Sequence, residues 1–372
     1  VDALGARVLP VSQSEQVFVF ENVEERPVPS LLRGFSAPVR LRTSRTAEEE
    51  CFLYRHDDDP FARWDAGQAY LAGALTAAAR DRRYDTVLDD DFLRAVGEIL
   101  RDPDIEPAFA AELLTLPGES VLADAMVPAD PEAIHAARNA ARREIGLRHA
   151  GLLRECYDRL SGAYDPEDMS TAAMGSRALR AVALGYLVAG GAAEAVTLAA
   201  HQAAGATTMT ESMAALQALN NVDCPERGDA MKAFHDRWQD TPLVLDKWFT
   251  LSATSALPDT LETVKGLLEH PKFDMGTPNR VRALIGAFAS GNPVRFHAPD
   301  GAGYSFLADQ IVRLDEMNPQ VAARLVAPLT RWKRYDETRQ RMMRECLERI
   351  RRHAGLSPDV TELVAKGLGE EG

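Results

Sequence analysis

None of the eight histidines stands in a His-Glu-x-x-His arrangement, so the usual helix-borne zinc hydrolase site is excluded. The nearest approach to a metal cluster is His56-Asp57-Asp58-Asp59. It lies at an expected helix start, where acids complement the helix dipole. Gly-x-Ser-x-Gly is absent, which removes the nucleophile elbow. Asp300-Gly301-Ala302-Gly303 lacks the Lys-Ser/Thr of a phosphate-binding loop and reads as a turn before the helix of Phe306 and Leu307. The four cysteines, Cys51, Cys156, Cys224 and Cys346, are far apart, which suits reduced thiols in a cytoplasmic protein. No apolar run reaches the roughly 18 residues of a spanning helix. Cations are outnumbered, with a net charge of −14, which argues against general nucleic-acid or anionic-membrane binding. Aromatics make only 7 %, while alanine abounds, a balance that favours packed helices over sheets.

The β-rich text is confined to residues 1–42. Gln16–Phe20, Ser30–Phe35 and Val39–Leu41 read as three short strands, too few for an independent sheet. They are expected to be the last strands of a sandwich. From residue 43 to 372 the text is helical. Helix starts recur every 15–25 residues or so, as at Thr46, Asp59-Pro60, Glu106-Pro107, Asp130-Pro131, Asp165-Pro166, Thr241-Pro242 and Ser357-Pro358. No strict period is visible. The expected fold is mainly α: an irregular α-solenoid of stacked helical hairpins after a short β-strand remnant. The tryptophans Trp64, Trp238, Trp248 and Trp332 sit within apolar periodicity and read as core.

The most informative stretch runs from Thr277 to Asp336. Two helices begin alike, Thr277-Pro278 and Asn318-Pro319. The first places Val281, Leu284, Ile285 and Phe288 on one face, with Arg280 and Arg282 flanking it on opposite sides. The second buries Val321, Leu325, Leu329 and Trp332, leaving Gln320, Arg324 and Arg331 along one line. By residue type that line is an ordinary solvated face. Lys333-Arg334-Tyr335-Asp336 reads either as an anion clamp or as cations at a helix C-terminus.

Blocks throughout the chain resemble the bacterial aminopeptidase N family, zinc metallopeptidases of the gluzincin class. They include Gln16–Val23, Phe35–Val39, Glu112–Pro117, Leu243–Phe249, Leu261–Leu268, Pro278–Phe288, Asn318–Ala322 and Arg331–Asp336. The likeness is strongest from about residue 205 to 345. It implies the end of a β-sandwich followed by the C-terminal helical domain. The His-Glu-x-x-His and Gly-Ala-Met-Glu-Asn motifs of that family, with its zinc, belong to a catalytic domain outside these residues. The resemblance therefore implies a piece of a longer polypeptide, as does the opening on Val1. It implies no catalytic residue and no cofactor in this chain, and no peptide cleavage by it alone. Its partners would be the catalytic domain of the same polypeptide and a peptide substrate, with no nucleic acid and no membrane. In the family the helical domain caps the active-site chamber and limits peptide access. On the matching motifs the resemblance assigns Arg282, Gln320 and Arg324 to contacts with the downstream part of the substrate. The competing expectation is a stand-alone helical scaffold that binds a protein partner on its concave face.

Overall fold

The computed structural model describes residues 7–39 and 41–369. Helices begin where a short polar side chain takes over the unpaired N–H groups of the first turn. Thr46 and Glu49 form a capping box for α1 (Ala47–His56), and Asp59 caps α2 (Pro60–Asp81). Asp89 caps α3 (Asp90–Arg101); α4 (Pro107–Leu113) and α5 (Glu119–Asp124) are short; Asp130 caps α6 (Pro131–Arg148). Next come α7 (Ala150–Leu160), α8 (Thr171–Ala189), α9 (Ala193–Gly205) and α10 (Met209–Leu219). They are followed by α11 (Pro225–Trp238), α12 (Pro242–Ala253) and α13 (Thr260–Leu267). A helix in three parts follows: α14 (Pro278–Val281), a π turn at Arg282–Gly286, and α15 (Ala287–Gly291). The last are α16 (Pro293–Phe296), α17 (Ala302–Asp315), α18 (Pro319–Thr330), α19 (Glu337–Arg351) and α20 (Pro358–Leu368).

The expected start at Asp165-Pro166 moves to Thr171, which Ser170 caps. Asp165 instead accepts the Glu167 N–H at 2.8 Å, closing its own turn.

The expected sandwich strands do not form: no strand occurs among the described residues. Part of the third, Arg40, lies outside them. A strand needs a neighbour for its N–H and C=O groups, and residues 7–39 pair with none. Val17 and Val19 are 80 % and 74 % exposed. Ser30–Phe35 bends into a 3₁₀ turn at Arg33–Phe35. The acidic stretch before α2 holds it there. Arg33 pairs with Asp57 at 2.9 Å and Asp58 at 2.5 Å, and the Gly34 N–H donates to Asp59 at 2.9 Å. The cluster that looked nearest to a metal site is thus a fastening for the preceding segment.

The helices stack in two rows. One row runs α1, α3, α7, then α9 and α11 beside their partners; the other runs α2, α6, α8, α10, α12, the three-part helix and α18. One core lies between Cys51 and Leu219 and a second between Leu245 and Val364, which Ala129 joins. A small cluster of Leu216, Phe234 and Leu251 joins them. The second row also returns on itself. Helix α16 packs on α6, Arg334 pairs with Asp124, Arg339 with Glu132 at 3.1 Å, and the Ala129 N–H donates to the Arg334 carbonyl at 2.7 Å. These contacts close the row into a ring. No helix among the described residues is long and apolar enough to cross a membrane.

Candidate functional site

Proline in its first turn starts the three-part helix, but Thr277 does not cap it; its hydroxyl donates to Asp274 instead, at 2.6 Å. Val281, Leu284, Ile285 and Phe288 are fully buried, as their spacing predicts. Arg280 and Arg282 separate sharply. Arg280 turns inward, pairs with Asp246 at 2.6 Å and covers the Phe249 ring. Arg282 is exposed and, among the described residues, donates to Asn279 alone, at 2.9 Å. In the π turn that Arg282 opens, the Ala283 carbonyl accepts from Thr250 of α12 at 3.2 Å. Such turns widen a helix by one residue and recur at functional sites.

Helix α18 starts as expected, with Asn318 accepting the Val321 N–H at 3.2 Å. Asn318→Ala is expected to lower stability by about 1 kcal/mol in urea unfolding, the usual cost of a lost cap. Val321, Leu325 and Leu329 are buried, and Trp332 donates to the Gly367 carbonyl at 2.8 Å. Gln320 and Arg324 are exposed, and among the described residues neither side chain has a hydrogen-bond partner. Pro328, inside the helix, leaves the Arg324 carbonyl without its helical N–H donor.

These two helices run side by side in the same direction. A Cβ added to Gly286 would lie 3.8 Å from the Arg282 Cβ and 3.9 Å from Leu325. Further along, Ala289 and Ser290 face Ala327 and Arg331 across a cavity of about 160 Å³. Arg282 is therefore level with the N-terminal half of α18, where Gln320 stands in the first turn and Arg324 in the second. The fold brings the three expected residues to the same end of adjacent helices on the ring.

The rest of the cationic edge has structural work. Arg334 fastens to Asp124 and Asp336 caps α19, so the Lys333–Asp336 stretch is part of the seam rather than an anion clamp. Behind it Arg339 donates to the carbonyl of His297 at 2.9 Å and pairs with Asp336 at 2.7 Å. His297 lies buried against Tyr335 and shares a 2.9 Å hydrogen bond with the Tyr304 hydroxyl. Burial, then the charges of Arg339 and Arg334, push the His297 imidazole down to about 3. Sequence patterning gave no hint of His297, because a single histidine between helices carries no periodic signal.

Along the ring from α18 three further cavities open between α6, α8, α10 and α12, with volumes of about 830, 490 and 550 Å³. Gln217 of α10 borders all three. No group of three or more His, Cys, Asp or Glu that could hold a metal exists among the described residues. The closest pair, His235 and His270, has its Nε2 atoms 3.1 Å apart. The Lys272 N–H donates into His270 Nδ1 at 3.1 Å, which leaves the His270 proton on Nε2, pointing at His235. That is a hydrogen-bonded chain, not a vacant ligand set. The three buried thiols offer no nucleophile either, since burial pushes Cys51 up to about 11 and raises Cys156 and Cys346.

The family described as "Domain of unknown function (DUF3458_C) ARM repeats" matches residues 47–369. The chain belongs to this family. A second, described as "Domain of unknown function (DUF3458) Ig-like fold", matches residues 2–44. The chain is 42 % identical over 364 residues to Aminopeptidase N of Escherichia coli (strain K12), covering 97 % of the chain and 42 % of that relative. Aminopeptidase N of Caulobacter vibrioides is 40 % identical over the same share of both. A crystal structure of Legionella pneumophila aminopeptidase A in complex with aspartic acid superposes with a TM-score of 0.86 at 30 % identity. That match covers 94 % of this chain and 42 % of the other. The chain thus spans less than half the length of the relatives it matches. Its resemblance to the C-terminal part of aminopeptidase N holds along nearly all of it.

Proposed function

We propose that this chain is the C-terminal part of a cytoplasmic aminopeptidase that removes N-terminal amino acids from peptides. The zinc and the bond-breaking residues belong to the catalytic domain of the same polypeptide; the residues here do not fit a metal and supply no chemical step. The ring caps the active-site chamber and limits which peptides enter. Arg282, Gln320 and Arg324 face the chamber and hold the peptide downstream of the cleaved bond. Arginine suits that task, since its fixed fork of donors binds a carboxylate or successive carbonyls in two-point fashion. The observation that carries this reading is the grouping of three solvent-facing residues, none tied to an acid among the described residues, at one end of adjacent helices.

The test uses the full-length enzyme. Arg324→Ala is expected to lower kcat/KM for tripeptides and longer substrates about tenfold, the scale of one charged hydrogen bond. Hydrolysis of an amino-acid amide, which has no downstream residues, stays near wild type. Equal loss on both substrates rejects the downstream role.

A further inference from the structure

A chain with 56 acidic and 42 basic side chains can pair almost every arginine. Several arginines nevertheless lack a carboxylate partner among the described residues, Arg63, Arg227, Arg282, Arg295 and Arg324 among them, and so do three arginines of α6. Arg138 donates through Nε to the Pro117 carbonyl at 2.9 Å. Arg142 reaches only the Gly185 carbonyl, at 3.4 Å, near the limit of a hydrogen bond. Arg143 is exposed and has no partner among the described residues. None of the three stands within ion-pair distance of a carboxylate among the described residues. Arg138 and Arg142 are one helical turn apart, so their guanidinium groups share a face.

That face is open. Arg138 and Arg142 line the cavity of about 490 Å³ together with Gln217, and its walls hold no acidic side chain. Val182, Ala181 and Leu116 give it an apolar side. Arg142 also borders the adjoining cavity of about 830 Å³. The nearby acids are engaged or distant. Glu119 is bound to His135 at 2.7 Å. Glu144 accepts the N–H groups of Val87 and Leu88 at 2.7 and 2.9 Å. Asp85 and Asp223 line only the larger cavity.

Each guanidinium has five N–H donors, and one carbonyl apiece leaves most of them free to meet a guest in the recess. Burial, then the charge of Arg138, lowers the basicity of Arg142. An anion seated between the two would relieve both effects. Gln217, free of side-chain partners among the described residues, can donate an amide N–H to the same guest.

We propose that Arg138, Arg142 and Gln217 form a carboxylate-binding site in the groove between α6, α8 and α10, and that its ligand is a short peptide. The carboxylate is either the peptide's C-terminus or an acidic side chain, with neighbouring apolar atoms against Val182 and Ala181. The site stands on this chain's own residues and does not depend on where the ring faces in a longer protein.

The experiment is a ligand-observed NMR titration of the 372-residue chain at low salt. The probes are trialanine with a free C-terminus, trialanine amide, and acetyl-Ala-Asp-Ala-amide. At least one carboxylate-bearing peptide is expected to bind about tenfold more tightly than trialanine amide, the scale of a charge-assisted hydrogen bond. Preference for free trialanine names the terminus as source; preference for the aspartyl peptide names the side chain. Arg142→Gln and Arg138→Gln are each expected to remove that preference, while Arg341→Gln, on the exposed face of α19, leaves it intact. If all three peptides bind alike, or none binds, the site does not exist. If the preference survives in both glutamine variants, with their helical circular dichroism unchanged, it belongs elsewhere and the assignment is overturned.

Discussion

Gly146→Ala is expected to lower the stability of the chain by about 3 kcal/mol or more, at the upper end of what overpacking costs. The added Cβ would stand 2.2 Å from the Tyr186 carbonyl oxygen and 2.8 Å from the Gly190 nitrogen. Both are backbone atoms of α8 and its C-terminal turn, so no side chain can swing aside. A Cβ added at the reciprocal position, Gly190, would likewise lie 3.0 Å from the Gly146 carbonyl carbon. Helices α6 and α8 must separate, and the first core is built on both. Chemical unfolding followed by circular dichroism measures the loss. Gly73→Ala is the control: α2 has nothing within 4 Å of a Cβ there. Alanine at that exposed helical site is expected to stabilise by about 0.5–1 kcal/mol. Equal effects at the two positions would show that α6 and α8 do not cross as closely as described. Because α6 carries Arg138 and Arg142, the Gly146 variant should also blunt discrimination between carboxylate and amide peptides.

Acid is expected to weaken the seam through His297. The unfolded imidazole titrates near 6.5 and the folded one near 3. Above pH 6.5 both states are neutral and the residue contributes no pH dependence. As pH falls below 6.5 the unfolded chain takes up a proton that the folded chain refuses, so stability drops. The loss continues until the folded pKa is reached. By pH 5 it amounts to about 2 kcal/mol from this residue alone. His297→Gln retains a polar side chain beside Tyr304 and cannot titrate. The difference between wild type and variant, in urea unfolding at pH 7 and pH 5, should isolate that 2 kcal/mol or so. Parallel losses in the two proteins would mean that His297 is protonated in the folded state.

Much of the helical architecture is written in short capping signals, because a helix start is a local event. Thr46, Asp59, Asp130, Asn318 and Ser357 all accept the expected N–H groups. Asp165 misled because aspartate closes a tight turn as readily as it caps a helix. The strands misled for a different reason: alternation in Gln16–Phe20 reports a residue pattern, while a strand exists only with a partner. Arg280 and Arg282 were equivalent by spacing. Only Asp246, 34 residues away, draws one inward. Orientation of the second row could not be read, since it follows from the seam, and the seam joins residues with no local relation. Arg138 and Arg142 were invisible on the same ground. What marks them is a shared cavity whose walls hold no acidic side chain, which no spacing along the chain reveals.

The seam also changes how the chain must reach its fold. An open stack of hairpins can grow from any point, each unit resting on its neighbour. Here Arg334 meets Asp124 across 210 residues and Arg339 meets Glu132 across 207. Closing a loop of that length costs about 5 kcal/mol of chain entropy, charged once and shared by every contact made there. The contacts of the seam can form only after both stretches of helices are nearly in place. Closure is therefore a late, slow step, and once made it ties the two ends together so that neither frays independently. Variants that weaken Arg339 should speed unfolding and leave the rate of early helix formation unchanged.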